Sequence, residues 1–286
     1  MLVIRTKHEL RKAINDLKKK GKETIALVPT MGALHDGHMK LVSCASDQSD
    51  AVVVSIFVNP TQFGEGEDFE AYPRDEAADL QKLKKGNVDI VYVPDVMEMY
   101  EPGYCIKITV EENADILCGR VRPDHFDGVA TVVTKLFMQV LPDIAVFGEK
   151  DYQQFKIINQ LVKDIDIPVK VVGVPTIREK SGLAISSRNN YLSKKEKMIA
   201  PALHKILMEV RENIEQGENI AQSAEKGKKA LKSNGFKSVD YLEVRDAETL
   251  ELIEKRASGG ISRVGRIFVA AGLGKTRLID NIPVAL

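Results

Sequence analysis

Cysteine is scarce in this chain, and it is unpatterned. Cys44, Cys105 and Cys118 are odd in number and never spaced as Cys-x-x-Cys, which argues against a disulfide framework and a zinc knuckle. They read as reduced, mostly structural thiols. Excess charge of either sign is missing as well: 41 Lys plus Arg balance 41 Asp plus Glu. No whole-chain field exists to draw in nucleic acid or an anionic membrane. Nor is there a long apolar run. The most extended, 51–58, is interrupted by Ser55 and falls far short of the roughly 20 residues a bilayer crossing needs. The opening MLVIRTKHELRKAI puts charges where a secretory segment would be continuously apolar, so a cytoplasmic chain is expected. Internal repeats and low-complexity linkers are absent.

What remains is ordinary globular material. The 286 residues are 44% hydrophobic and 29% charged, enough for one large or two moderate domains at about 150 residues each. Short Val- and Ile-rich runs predict strands at 24–29, 51–58, 89–93, 143–147 and 169–174. Between them, apolar residues recurring every three or four positions predict helices at 38–48, 75–85, 129–140 and 152–164. Leu10, Ile14 and Leu17 mark an opening helix that Lys18, Lys19, Lys20 and Gly21 close. Nearly continuous apolar strands alternating with helices belong to a parallel sheet covered on both faces. Residues 1–175 are therefore expected to form a doubly wound α/β domain.

After Pro175 the pattern changes. Ser193 and Glu196 have capping-box spacing, which predicts one long helix from there towards Gly217. A lysine-rich helix is expected at 220–233 and short strands at 239–244, 266–271 and 277–279. This predicts a smaller α+β domain, 176–286, joined through 176–187.

Chemistry-bearing residues cluster just past predicted strand ends. The first such strand runs into PTMGALHDGH, with His35 and His38 flanking Gly37 at a helix start. A strand turning through glycine into a helix N-terminus aims unpaired N–H groups and the positive end of a dipole at one point, and the two imidazoles add donors for phosphate oxygens. Taken singly, either histidine reads as an ordinary surface residue. A metal pair is also conceivable, although zinc-protease helices use i, i+4 spacing with a glutamate between. Asn59 and Gln62 follow the next strand in SIFVNPTQF. Their neutral amides suit a hydroxyl or an oriented carboxylate, or else Asn59-Pro60 simply stabilises a turn. The acidic stretch 64–69 reads as a plain loop or a lid. Past the fourth strand, FGEKDYQQ supplies Gly148, Glu149, Lys150, Asp151 and Gln154; Lys150 suits phosphate charge and Asp151 ribose hydroxyls. AISSRNN supplies Ile185, Ser186, Ser187 and Arg188, either a phosphate turn or a capped turn with a solvated arginine. Two near-matches are set aside. Gly272-Leu-Gly274-Lys275-Thr276 has Val269 where a P-loop needs glycine, and Gly64-x-Gly66 is followed by Phe69 where a third glycine belongs.

These motifs, with RPDHFDGVATVVTKLF at 122–137 and TRLIDN at 276–281, occur in the order and rough spacing of the pantothenate synthetase family, the pantoate:beta-alanine ligases of bacteria, over nearly the whole chain. The resemblance implies a Rossmann-like core of the nucleotidyltransferase superfamily with a His-x-Gly-His type signature. It also implies ATP- and Mg2+-dependent condensation of pantoate with beta-alanine through a pantoyl adenylate, in a homodimer. By the same resemblance Met31, Gly32, His35, Gly37 and His38 line the ATP site with Gly148–Asp151 and Ile185–Arg188. His38, His35, Lys150 and Arg188 are catalytic, Gln62, Gln154 and Asn59 meet pantoate, and Gln62 also meets beta-alanine. The magnesium ligands are not implied. Two positions depart from the family pattern: Ser181 stands where an aspartate is common, and Asp124 where glycine is common. The competing readings are a related nucleotidyltransferase that adenylates a phosphate acceptor, a metal hydrolase using the two histidines, and a non-catalytic ATP sensor.

Overall fold

The structure, a computed structural model, describes residues 1–256 and 264–286. The chain divides into two compact units, Met1–Glu149 with Gln154–Pro175 and Lys150–Gln153 with Thr176–Leu286. In chain order up to Pro175 the elements are β1 (Leu2–Ile4), α1 (Lys7–Lys19), β2 (Ile25–Thr30), α2 (Asp36–Ser46), β3 (Ala51–Ile56), α3 (Glu76–Leu83), β4 (Ile90–Tyr92), α4 (Val96–Met99), α5 (Leu117–Val121), α6 (His125–Val140), β5 (Ile144–Gly148), α7 (Tyr152–Asp164) and β6 (Lys170–Val174).

The first unit is built on a parallel six-stranded sheet in the order β1-β4-β3-β2-β5-β6. Side chains of a strand alternate between faces. In β2, Ile25 and Leu27 join a core with Leu10 and Ile14 of α1, Val133 and Phe137 of α6 and Ile158 of α7. Ala26 and Val28 join a second core with Leu41 and Val42 of α2 and Leu83 of α3. The nearly continuous apolar character of the strands is thus explained: both faces are covered. From β2 the chain steps outward through β3 and β4 on one side, then returns to lay β5 against β2 on the other. The reversal makes the carboxyl ends of β2 and β5 a topological switch point, where ligands of such sheets bind. The edge strand β1 was not predicted; it has three residues, two of them exposed, too few to display a period. Helix α6 begins before the predicted 129, because polar His125 and Asp127 interrupt the apolar pattern although both are buried.

The second unit holds α8 (Lys194–Ile199), α9 (Ala202–Glu215), α10 (Ile220–Ser233), β7 (Ser238–Asp246), β8 (Val264–Leu273) and β9 (Thr276–Ala285). Its strands form an antiparallel β7-β8-β9 sheet, and Leu207, Val210, Leu231, Leu242, Ile267 and Ile282 share its core. The expected long helix is two helices. The Ser193–Glu196 capping box forms, but Pro201 has no N–H and disfavours helix at the residue before it, so α8 stops at Ile199 and α9 restarts after the proline. The strand expected at 277–279 runs much further, since polar Asp280 and Asn281 broke the sequence pattern yet are buried in the sheet. Leu273 pairs with Thr276, so the P-loop look-alike is a tight hairpin turn. The three cysteines are free. Among the described residues no helix is long and apolar enough to cross a membrane.

Candidate functional site

Helix α2 starts one residue after His35, which is its extended N-cap, and His38 is the third helical residue. The start lies earlier than the predicted position 38. The His35 amide donates to His38 Nδ1 at 3.3 Å, and the rings stack with centroids 4.0 Å apart. A nitrogen that accepts carries no proton, so in neutral His38 the proton sits on Nε2 and remains a donor. Gly37 permits the stack: a Cβ there would stand 2.9 Å from Cε1 and Nδ1 of His35. The first-turn amides of a helix lack intrahelical partners and carry its positive end, so this is an anion-binding geometry. A metal pair fits less well, because His38 Nδ1 faces a backbone donor and no third His, Cys, Asp or Glu completes a metal cluster among the described residues.

The turn before the histidines is held by a residue that sequence reasoning missed. Asp79 on α3, 2% exposed, accepts from the amides of Ala33 at 2.8 Å and Leu34 at 2.7 Å. Thr30 Oγ1 accepts from the Gly32 amide at 3.2 Å, and Lys82 Nζ donates to the Leu34 carbonyl. Ala33 takes a left-handed φ of +49°, which costs a non-glycine residue on the order of 1 kcal/mol and persists because these bonds over-determine it. Burial pushes the Asp79 carboxyl pKa up despite the two amides that stabilise its charged form. The available signal was an acid on the buried side of α3, one turn before Leu83.

Beyond β3, Gln62 is 8% exposed and Asn59 1%. Asn59 Nδ2 donates to Gln62 Oε1 and to the Gly128 carbonyl, both at 3.1 Å, and its Oδ1 accepts from the Tyr100 hydroxyl at 2.8 Å. Gln62 Nε2 in turn points at Met31 Sδ, 3.1 Å away, joining this turn to the histidine turn. Asn59 therefore orients Gln62. Helix α6 packs backbone to backbone on the same turn: a Cβ on Gly128 would lie 2.3 Å from the Thr61 carbonyl oxygen and 2.7 Å from the Gln62 amide nitrogen. Gly128→Ala is expected to cost about 1–3 kcal/mol or more by overpacking and to displace Gln62. A thermal melt should show a clear drop in Tm, and an unchanged Tm would contradict the close approach.

Below Gln62 lies a second unforeseen network. The Gln62 carbonyl accepts from His125 Nδ1 at 2.8 Å, and His125 Nε2 faces Arg122 Nη1 at 3.0 Å. Because a carbonyl only accepts and a guanidinium only donates, a neutral ring with its proton on Nδ1 satisfies both. Arg122 also makes two 2.6 Å bonds to Glu67. Burial raises the Glu67 pKa, but the hydrogen bond and charge of Arg122 outweigh it and hold the carboxyl below the ordinary range. Arg122 thereby ties down the acidic segment 64–69, and Phe69 packs edge-on to Phe63 at 5.3 Å.

Gly148, the last residue of β5, and Glu149 just beyond it are half-buried, and Gln154 is half-buried in the first turn of α7. In the second unit Lys150 Nζ lies 3.9 Å from Asp151, and the Ser186 hydroxyl accepts from the Arg188 amide at 3.3 Å. Ser187 is buried and Ile185 half-buried, its amide bonding the Ile177 carbonyl at 3.0 Å. The turn that contains Ser181 is closed locally, the Leu183 amide donating to the Ser181 hydroxyl at 3.4 Å. Asp124 has φ +59°, a left-handed position that glycine takes without strain and aspartate tolerates. The departure at 124 thus stays within what the turn allows.

A family model described as Pantoate-beta-alanine ligase matches residues 2–283. A curated pantothenate synthetase of Rhodospirillum rubrum is 50% identical over 282 residues, covering 99% of this chain and 98% of its own. Among solved structures, the pantothenate synthetase of Thermus thermophilus superposes with a TM-score of 0.90 at 43% identity, covering 99% of both chains. The pantoate-beta-alanine ligase of Francisella tularensis, solved with beta-gamma ATP and beta-alanine, gives a TM-score of 0.81 at 36% identity over 99% of this chain and 97% of its own. A full-length match at this level of identity, on a sheet whose switch point carries the paired histidines, leaves one assignment: the chain belongs to the pantoate-beta-alanine ligase family.

Proposed function

We propose that this chain joins pantoate to beta-alanine at the expense of ATP, giving pantothenate, AMP and pyrophosphate. The observation that carries the reading is the His35–His38 pair at the start of α2, tied through Met31 to the amide of Gln62. An anion site for a nucleotide and a polar amide for a small hydroxy acid thus adjoin at the switch point. In the first step a pantoate carboxylate oxygen bonds the α-phosphorus of ATP and the bond to pyrophosphate breaks. In the second, the beta-alanine amine bonds the acyl carbon, loses a proton, and AMP leaves.

A carboxylate is already nucleophilic at neutral pH, so the protein's task is alignment and stabilisation of phosphate charge. His38 and His35 serve as donors in this reading, with Met31, Gly32 and Gly37 shaping the turn. Lys150 and Arg188 supply positive charge, and Gly148, Glu149, Asp151, Ile185, Ser186 and Ser187 line the nucleotide. Gln62 and Gln154 hold pantoate, Asn59 acting by orienting Gln62, and Gln62 also meets beta-alanine. No cluster of three His, Cys, Asp or Glu exists among the described residues. Mg2+ therefore fits best as the partner of ATP, ligated largely by phosphate oxygens and water, where it would neutralise triphosphate charge. A cytoplasmic homodimer belongs to the same proposal. The three free cysteines support the location.

The test is to supply ATP, Mg2+, pantoate and beta-alanine, omit each in turn, and follow AMP; AMP release that ignores pantoate would overturn the reading. Gln62→Ala is expected to raise the pantoate requirement about 10- to 100-fold, as loss of hydrogen bonds worth roughly 1–3 kcal/mol implies, with ATP binding little changed. Isothermal titration showing the reverse would remove Gln62 from the pantoate site.

A further inference from the structure

The dipeptide Asp280-Asn281 in β9 has no part in the roles assigned above, yet both side chains are buried, each 3% exposed. Buried polar groups are satisfied by neighbours, and here the neighbours are the two phosphate-handling segments of the second unit. Asn281 Nδ2 donates to the Lys150 carbonyl at 2.9 Å, and its Oδ1 accepts from Arg266. The Arg266 guanidinium lies 3.7 Å from the centre of the Tyr152 ring, whose hydroxyl donates to the Ala247 carbonyl at 3.1 Å. Residues 150–152 are thus fastened to the three-stranded sheet through a carbonyl and a ring face, and to Ala247 just past β7 through a phenol.

Asp280 holds a different segment. It takes both arms of Arg178, at 2.6 and 2.9 Å. Arg178 pairs with Ala184 across an antiparallel bridge and donates to the Gly182 carbonyl at 3.2 Å. The turn of Ser186, Ser187 and Arg188 leaves directly from that bridge, and Asn189 ties it back to the Ala184 carbonyl at 3.1 Å. Successive strand residues project to opposite sides, which lets one dipeptide reach two segments.

We propose that Asp280 and Asn281 are positioning residues for adenylate formation: β9 holds the Lys150 backbone and the Ser186–Arg188 turn in one frame, so that their charges meet the transferring phosphates at a fixed spacing. The proposal rests on the reading of Lys150 and Arg188 as phosphate-handling cations. Misplacement of such groups by about 1 Å can cost on the order of a hundredfold in rate.

The test is a double-mutant cycle in the full chain, read as single-turnover pyrophosphate release from ATP and pantoate and normalised to folded protein by circular dichroism. Asn281→Asp keeps the size and the acceptor for Arg266 but loses the donor to Lys150; Asn281→Ser serves if the first variant folds poorly. The rate is expected to fall at least about tenfold while the pantoate KM moves less than about twofold, and in a Lys150→Ala background the same change should add almost nothing. Asp280→Asn should behave likewise towards Arg188→Ala. A rate within about twofold of the parent, or a loss that multiplies in full on top of Lys150→Ala, would show a merely structural role. If Lys150→Ala itself releases pyrophosphate normally, the reading of Lys150 fails, and the positioning role falls with it.

Discussion

Lys150→Ala and His38→Ala are each expected to slow adenylate formation about a hundredfold, the loss of roughly 3 kcal/mol that follows removal of one preorganised donor or charge. The chemistry sets the size. Pantoate brings its own nucleophile, so neither residue is needed as a base, and each loss falls on the charge that develops as pyrophosphate departs. His38 presents Nε2 as its donor because Nδ1 is occupied by the His35 amide. Lys150 brings a full positive charge on a side chain that is mostly buried. Single-turnover pyrophosphate release measures the step directly, with circular dichroism to show that the fold persists. Near-normal release in either variant would contradict the role given to that residue.

The largest effect on stability is expected from Arg178→Ala. Asp280 is almost completely buried and Arg178 meets it with two short bonds. Burial pushes the Asp280 pKa up, but the facing His204 ring, the hydrogen bond and charge of Arg178, and the Asn281 amide together hold it below the ordinary aspartate value. In the parent chain this carboxylate contributes stability that is present above its unfolded pKa of about 3.9 and is lost as pH falls through the lower folded value. Without Arg178 the buried charge loses its guanidinium partner and keeps only the His204 ring and the Asn281 amide, at a cost of about 3–5 kcal/mol near neutrality, and the sign reverses. Burial then raises the folded pKa, so the variant should recover part of its deficit on acidification while the parent only loses. Urea denaturation at neutral and mildly acidic pH separates the cases; a deficit that does not shrink at the lower pH would show that a buried ionised Asp280 is not the cause.

Much of this molecule is legible in its amino-acid sequence. The five strands predicted in the first 175 residues and the helices between them follow from local apolar periodicity, which needs only neighbours in sequence. The histidine turn was legible because a strand end, a glycine and a helix start coincide within ten residues of PTMGALHDGH. Local signals failed where a polar residue is buried or a terminus is short. Leu2–Ile4 is too brief to show a period, Asp280 and Asn281 made a long strand look finished, and Pro201 broke a helix that the surrounding pattern carried straight through.

Local pattern and motif order are enough for the class of the fold, the strand ends at which chemistry gathers and the family. What holds those ends in place emerges only from packing. Asp79 reaches Ala33 across 46 positions of chain, Arg178 reaches Asp280 across 102, and Asn281 reaches Lys150 across 131. No periodicity records such pairings, because a hydrogen bond between distant segments depends on where packing brings them, and a buried Asp or Asn looks in sequence like any solvated one.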